Sequence, residues 1–227
     1  GGYRPSKEEL ETENIEAVAT GAATNLDRHI RNMAGFGVPV IVSINKFASD
    51  TDAEIKALSD SAHASGAKAV TITEVHSRGG EGGEDLAKAV VKAVQDHVAA
   101  GRPFTPLFVN DAPVMEKVEA IATRMYKAKE VVVETAAKKQ LDKIISWGYG
   151  NLPVCMAKTQ YSFSHDAGKL GAPSDFTLPI REFRLNSGAG FIVAILGNMM
   201  TMPGLPKRPA AIDMDMDDDG NQIGIFG

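Results

Sequence analysis

Asn45 and Lys46, which end the apolar run of VPVIVSINKFASD, are residue types that read a purine base in GTPases. Those enzymes place Asn-Lys-x-Asp at a strand end, where the Asp carboxylate pairs with the amino edge of guanine. Ala48 stands in place of that Asp, which makes guanine recognition the weakest functional hypothesis. Phe47, a large aromatic residue in a polar turn, is either a cover for the core or a stacking platform, and pattern alone favours the cover.

A glycine-rich turn, RGGEGGEDLA at residues 78–87, follows a predicted strand and begins a predicted helix. Backbone N–H groups and the helix dipole at such a place favour an anion, and glycines let a ligand approach closely. The turn has the spacing of neither a G-x-x-x-x-G-K-[ST] phosphate loop nor a dinucleotide-binding turn. A plain tight turn explains the pattern about as well. The residues of this candidate anion or substrate loop are Glu74, Arg78, Gly79, Gly80 and Gly82.

A third polar cluster, AKTQYSFSHD, follows another apolar strand. So many hydrogen-bonding side chains at one strand end favour a polar ligand, although they do not specify its chemistry. The sequence has no G-x-S-x-G elbow that would support a hydrolase. The residues of this candidate polar ligand loop are Lys158, Thr159, Gln160 and Tyr161.

No metal site is predicted from the sequence. His76 ends the second predicted strand, where a lone histidine is more often a hydrogen-bonded turn residue than a catalyst. The histidines in predicted helices have no Cys or carboxylate partner at ligand spacing, which argues against zinc. Residues 215–220 fit the first half of a calcium loop, but Phe226 stands where the closing Glu of that loop would bind.

Alternating strands and helices must position these candidates. The predicted strands are VPVIVSIN, AVTITEV, TPLFV, VVVE and LPVCMA, and helices separate them. Such alternation predicts an α/β fold with a doubly wound, mostly parallel sheet and right-handed crossovers. The helix after the glycine turn is expected to bury a stripe of Leu86, Val90, Val94 and Val98. Ligands of such sheets bind at the carboxyl ends of the strands, where the three polar clusters lie.

The regular alternation of predicted strands and helices ends after Ala157. Residues 1–157 are predicted to belong to one α/β domain, and residues 158–227 to form a loop, strands and a hairpin packed on it. FTLPIREFRL and AGFIVAILGNMM read as strands, and the closing segment carries an Asp-Gly turn typical of a hairpin.

Composition narrows the class of protein. The 227 residues are 44% hydrophobic with a net charge of −5 and no basic stripe, which argues against nucleic acid or an anionic membrane as partner. The single Cys155 excludes an internal disulfide framework and fits a reducing compartment. No apolar run approaches the roughly 20 residues of a membrane span, and no signal peptide is recognised. A cytoplasmic protein is predicted.

Several long segments together resemble the C-terminal portion of formate–tetrahydrofolate ligase, also called formyltetrahydrofolate synthetase. The matching segments are FGVPVIVSINKFASDTDAEI, EVHSRGGEGGEDLA, GYGNLPVCMAKTQYSFSHD, SGAGFIVAILGNMMTMPGLPKRPAA and DGNQIGIFG. They occur in the order of the family and span nearly the whole chain, which makes them far more specific than any single motif.

The resemblance implies an ATP-dependent ligase that joins formate to tetrahydrofolate through formyl phosphate and releases 10-formyltetrahydrofolate. It also implies Mg²⁺ with the ATP, activation by a monovalent cation, and a homotetramer. The core of the family is related to P-loop NTPases, which would account for the Asn-Lys pair at the strand end.

For the folate site, the resemblance implies an aromatic sandwich around the pterin ring. Phe47 matches one half of that sandwich, and His76 stands where the family usually has Trp. Ile72 matches an apolar residue that lines the same pocket. Ala48 replaces a common Pro. These departures affect the expected strength of folate binding rather than its location.

The Gly-Lys-Thr phosphate loop of the family has no match in this chain, so the resemblance implies that the catalytic residues lie N-terminal to it. Gly1 and Gly2 resemble the end of a His-Gly-Gly signature, which suggests a cut inside a longer protein or a split enzyme. The isolated chain is therefore expected to be inactive. The alternative is a non-catalytic folate- or nucleotide-binding module that acts with a partner.

Overall fold

The computed structural model of the chain describes residues 6, 8, 12–159, 161–197, 208–220 and 222–223. The chain divides into two compact units, Gly1–Gly197 and Asn198–Gly227. Helices and strands alternate along the first unit, so the α/β class predicted from the sequence is confirmed. Of the helices within the described ranges, none combines the length and apolar character needed to cross a bilayer.

A helical rod over residues 15–34 contains a π turn, in which one extra residue is accommodated. Its parts are α1 (Ile15–Gly21), the π turn (Ala22–Leu26) and α2 (Asp27–Ala34). Asn14 begins the rod because its side-chain oxygen accepts a hydrogen bond from the Ala17 N–H at 2.9 Å. The buried side chain of Ile30 packs with Ala62 and Ala67 in a small hydrophobic cluster.

The first sheet has two parallel strands joined through a helix: β1 (Ile41–Asn45), α3 (Asp52–Ala64) and β2 (Ala69–Thr73). The register pairs Ile44 with Ile72 and Asn45 with Thr73. Helix α3 begins with a capping box between Thr51 and Glu54. These two strands and their helix are the parallel unit that the sequence predicted.

The glycine-rich turn lies between two helices in the order α4 (Val75–Arg78), a 3₁₀ turn (Gly79–Gly83) and α5 (Glu84–Ala99). The predicted burial of the α5 valines is wrong: Val90, Val94 and Val98 are 42%, 53% and 72% exposed. The half-buried positions of α5 are instead Leu86, Ala89, Ala93 and His97. A helix contacts β2 through one narrow stripe, and here that stripe carries mostly small residues while the valines lie beside it.

Residues 105–109, which the sequence predicted as a strand, form none. Pro103 and Pro106 cannot donate to a ladder, and the backbone between them is held by isolated contacts instead. The Thr105 N–H donates to the Phe36 carbonyl at 2.8 Å. Two helical segments follow, α6 (Val114–Ala120) and a π turn (Ile121–Met125).

The second sheet has four strands in the order β3-β5-β6-β4. Its elements are β3 (Glu130–Val133), α7 (Thr135–Ser146), β4 (Val154–Ala157), β5 (Thr177–Asn186) and β6 (Phe191–Leu196). The outer pairs β3–β5 and β4–β6 are parallel, and the central pair β5–β6 is antiparallel. The described strands of the first unit therefore form one parallel and one mixed sheet rather than a single parallel sheet.

The main hydrophobic core is built from helices α6 and α7 and strands β5 and β6. Its fully buried members include Val114, Val118, Ala137, Leu141, Ile144, Leu178, Ile180, Phe183, Ile192, Ala194 and Leu196. The apolar run LPVCMA predicts a buried, inert thiol for Cys155. That prediction is wrong, because Cys155 on β4 is exposed. On a four-residue strand only one face packs against the core, and Cys155 lies on the other.

The second unit contains a 3₁₀ turn (Ala210–Ile212) and two short antiparallel strands, β7 (Asp215–Met216) and β8 (Gln222–Ile223). Gly220 in the connection has a φ of +83°, a conformation that glycine adopts without strain. The hairpin predicted around the Asp-Gly pair is confirmed.

Candidate functional site

The carboxyl ends of β1 and β2 form the first candidate site. The Lys46 N–H donates to the Thr73 carbonyl at 3.0 Å, which extends the pairing of the strands to their last residues. Phe47 and Val75 begin the segments that leave this edge. Because the strands are parallel and in register, Phe47 and His76 leave the sheet at the same edge.

Phe47 projects from a turn that holds it out of the core. The Phe47 N–H donates to Asp50 Oδ2 at 2.8 Å, and the Asp50 N–H returns a bond to the Phe47 carbonyl at 3.1 Å. The Phe47 side chain is 64% exposed. The interpretation that pattern favoured, a cover for the core, is therefore wrong.

Ile72 and His76 share this exposure. Ile72 is 44% exposed, whereas its register partner Ile44 is 6% exposed. His76 lies in α4, the short helix that follows β2, and is exposed. Within the described part of the chain, no ring contact joins Phe47 or His76 to another aromatic side chain. An apolar strand residue and two ring side chains are thus available at one sheet edge.

The glycine turn folds back onto the end of β2. The Glu74 N–H donates to the Gly82 carbonyl at 3.1 Å. A Cβ at Gly82 would lie 2.6 Å from the Glu74 carbonyl carbon and oxygen, so only glycine permits this approach. Gly79 has a φ of +59°, whereas a Cβ at Gly80 would meet open space.

The charges of this turn are already balanced within it. Arg78 lies 2.6 Å from Glu81 and 3.4 Å from Glu74, and these carboxylates raise the pKa of its guanidinium, Glu81 more than Glu74. The first turn of α5 adds Glu84 and Asp85. Negative side chains at a helix N-terminus occupy the favourable dipole end and repel a further anion. The arrangement favours a turn stabilised by its own ion pairs over a phosphate-binding loop.

The polar loop after β4 lies at the end of the other sheet. The Lys158 ammonium donates to the Thr159 carbonyl at 2.8 Å and to the Ser162 carbonyl, and burial lowers its pKa below the ordinary lysine value. Thr159 is buried, and its hydroxyl accepts the Tyr161 N–H at 3.3 Å. Gln160 lies outside the described residues. The three predicted clusters therefore belong to two sheet ends rather than one.

Lys158 lies beside residues that the sequence did not single out. Its ammonium is 5.5 Å from the ring centroid of Tyr126 and 5.8 Å from that of Phe163. Burial, with a smaller contribution from Cys155, raises the pKa of Tyr126 to about 12. No local pattern marks Tyr126 as a neighbour of Lys158, because the two residues are 32 positions apart along the chain. Phe163 lies in the same loop as Lys158, but its type did not mark it as part of a polar site.

Metal ligands do not gather within the described ranges: no group of three or more His, Cys, Asp or Glu residues there could hold a metal ion. A comparison with protein families gives one match. The model described as formate–tetrahydrofolate ligase matches residues 1–226, nearly the whole chain.

Proposed function

Because this chain belongs to the formate–tetrahydrofolate ligase family, we propose that it supplies the folate side of that ligase. The intact enzyme would use ATP to join formate to tetrahydrofolate through formyl phosphate. The amine nitrogen of tetrahydrofolate attacks the formyl carbon, so that a C–N bond forms and the bond from carbon to the phosphate oxygen breaks. Inorganic phosphate leaves, and the nitrogen loses its proton. The observation that carries the proposal is the exposed Phe47 at the carboxyl edge of β1 and β2.

In this proposal the pterin ring is bound between the ring of Phe47 and that of His76, with Ile72 as its apolar contact. A flat heteroaromatic ring gains both from covering exposed apolar surface and from offset stacking, each pair adding about 0.5–1.5 kcal/mol. Ligands of parallel sheets bind at this edge of the strands. An imidazole offers less area than an indole, so His76 would hold the pterin less tightly than Trp.

The glycine turn would act by holding the residues of the folate site in position. Arg78 links Glu74 to Glu81, and Gly82 contacts the Glu74 backbone, so the turn holds the end of β2 and the start of α4. This arrangement fixes the helix that carries His76. We therefore assign Glu74, Arg78, Gly79, Gly80 and Gly82 to the support of the folate site.

The described residues do not fit the phosphates of ATP or its metal ions. The 227 residues contain no G-x-x-x-x-G-K-[ST] motif, and Arg78 is balanced by two carboxylates. The proposal accordingly assigns ATP, Mg²⁺, the monovalent cation and the catalytic residues to other parts of the ligase. β1 and β2 would belong there to a doubly wound sheet related to P-loop NTPases, in a cytoplasmic homotetramer.

The division of the chain predicted from the sequence also belongs to the proposal. Residues 1–157 would carry the folate edge, and residues 158–227 would contribute the Lys158 loop and the C-terminal strands.

Binding of tetrahydrofolate by the purified protein tests the stacking role directly. Phe47→Ala should weaken binding by about tenfold or more in isothermal titration calorimetry, because one face of the pterin loses its ring contact. The matched control is Phe104→Ala, since Phe104 is 60% exposed and stacks on Phe36 at a centroid distance of 5.6 Å. Equal affinities for the two variants would remove the basis of the proposal.

A non-catalytic folate-binding module is the second candidate. The observation that favours it is the internal pairing of Arg78 with Glu74 and Glu81, which provides no free cation for a phosphate at the glycine turn. Formation of 10-formyltetrahydrofolate by the intact protein with ATP and formate would exclude the module. Folate binding without that reaction would support it.

A further inference from the structure

A cavity of about 270 Å³ lies beside the polar loop after β4 and away from the β1–β2 edge. Its wall combines the helical rod (Asn25 and His29), the residue after the second π turn (Tyr126) and the loop (Lys158, Tyr161 and Ser162). Three separate segments of the chain thus converge on one space. Its volume is close to the lower end of the range of small-molecule sites, roughly 300 Å³.

Both π turns of the chain border this cavity. Asn25 lies within the first, Ala22–Leu26, and Tyr126 directly follows the second, Ile121–Met125. A π turn interrupts the regular hydrogen bonding of an α-helix, and such turns occur preferentially at functional sites. Two of them facing one cavity is a stronger indication than either turn alone.

Two cations and one imidazole ring surround the buried ring of Phe163. Arg28 lies 5.4 Å and Lys158 5.8 Å from its centroid, and the His29 ring is 4.8 Å away. Arg28 also donates to the carbonyls of Tyr126, Ala172 and Pro173 at 3.1 to 3.4 Å, which fixes the wall.

No acidic side chain lines the cavity among the described residues. The nearest carboxylates along the chain are engaged elsewhere, since Asp27 accepts from Arg31 at 2.8 Å and Asp166 accepts the Gly168 N–H at 2.9 Å. The two bonds of the Lys158 ammonium go to uncharged carbonyls, so its charge has no carboxylate partner in the described structure. An ammonium has three N–H donors, and these bonds use two of them.

From this geometry, we propose that the cavity binds a small organic carboxylate with a flat or apolar body. The carboxylate would accept from the Lys158 ammonium, with the Tyr126 hydroxyl as a second donor, and the body would lie against the aromatic walls. A tyrosine hydroxyl is protonated, and so able to donate, throughout the neutral range even at its ordinary pKa, and burial raises the pKa of Tyr126 further. This site is independent of the proposed pterin site and does not rest on the proposed reaction.

Calorimetric titration of the purified protein with sodium benzoate, benzamide, sodium formate and inorganic phosphate tests the assignment. Benzoate should bind most tightly, because it alone combines a carboxylate with a flat apolar body. If benzamide binds as tightly as benzoate, the charge of the ligand plays no part. If phosphate binds as tightly as benzoate, the site is not a carboxylate site. If formate binds as tightly as benzoate, the apolar body of the ligand contributes nothing to binding. Each of these three results overturns the proposal.

Lys158→Met should weaken benzoate binding by roughly tenfold to a hundredfold, the value of a hydrogen bond to a charged group. Lys158→Arg should retain most of the affinity. The matched control is Lys143→Met, because Lys143 also lies over an aromatic ring, 4.9 Å from the Trp147 centroid, but on the surface. Unchanged affinity in Lys158→Met would overturn the proposal.

Lys158 also holds its own loop through two carbonyls, so its loss could disturb the fold. Asn25→Trp provides a second variant that leaves Lys158 intact. Asn25 is exposed at the rim of the cavity, and an indole there should block entry without loss of thermal stability. Benzoate binding that persists in a folded Asn25→Trp variant would place the ligand elsewhere and overturn the assignment.

Discussion

The side chain of Phe47 is held out of the core although burial of a phenylalanine is worth roughly 1.5–3 kcal/mol. The turn that exposes it is fixed by reciprocal bonds between Phe47 and Asp50, so the exposure is a property of the backbone rather than of a mobile side chain. The folded chain forgoes that stabilisation at a sheet edge where ligands bind. This is the residue-scale reason to assign Phe47 to a ligand.

Lys117 shows the opposite arrangement, because here a charged side chain lies inside the protein. It is 1% exposed, and its ammonium donates to the carbonyls of Asn110 at 2.6 Å, Asn151 at 2.5 Å and Leu152 at 3.2 Å. All three ammonium donors are used, which compensates the cost of removing the charge from water. The lysine thereby joins the loop before α6 to the loop before β4.

Lys117→Met should lower the free energy of unfolding by about 3 kcal/mol, because three backbone carbonyls lose the ammonium donor that they share. Chemical denaturation measures the change. Lys138→Met is the control, since Lys138 is exposed on α7 and its replacement should alter stability by no more than about 0.5 kcal/mol. Equal stability of the two variants would mean that water replaces the ammonium at no cost.

At the scale of elements, the glycine turn is defined by one close backbone approach. Gly82→Ala should lower the free energy of unfolding by about 1–3 kcal/mol, because its Cβ would meet the Glu74 backbone, which cannot move aside as a side chain can. Gly80→Ala is the matched control, since its Cβ would meet nothing within 4 Å. Thermal unfolding monitored by circular dichroism compares the two. A Gly82→Ala variant as stable as Gly80→Ala would contradict the geometry of the turn.

Elements with local signals were predictable from the sequence, and those that depend on distant partners were not. β1, α3 and β2 follow from an apolar run, the capping box at Thr51 and Glu54, and a second β-branched run. Residues 105–109 have the composition of a strand, yet Pro106 within the segment and Pro103 before it lack the backbone donors that a ladder needs. The α5 valines have helical periodicity, but periodicity cannot say which neighbouring stripe meets β2.

At the scale of the whole molecule, folate binding and phosphate chemistry are proposed to lie in different parts of the ligase. The 227-residue chain should therefore bind tetrahydrofolate but form no 10-formyltetrahydrofolate from ATP and formate. Calorimetry measures the binding, and chromatographic analysis of the folate products measures turnover. Turnover by the purified chain would contradict this proposal. It would show that the chain itself binds the phosphates, although the arginine of its glycine turn is paired with carboxylates.

The two proposed sites differ in how far the sequence could reveal them. Phe47, Ile72 and His76 lie within 30 positions of one another at neighbouring strand ends, and family resemblance singled them out. The cavity at Lys158 draws its walls from residues 25, 29, 126, 158 and 161–163. No local pattern links such distant segments, because only the packing of the helical rod against the loop after β4 brings them together.

The π turn at Ala22–Leu26 has a consequence for how relatives of this chain should be aligned. Each residue advances an α-helix by roughly 100°, and a π turn takes up one extra residue in a wider turn, so the residues after it keep the angular positions of a helix one residue shorter. Arg28 donates to its three carbonyls from the segment that follows this turn. A homologue with a one-residue gap in this segment should therefore carry an unbroken α-helix, with its arginine aligned to Arg28 directly after the gap.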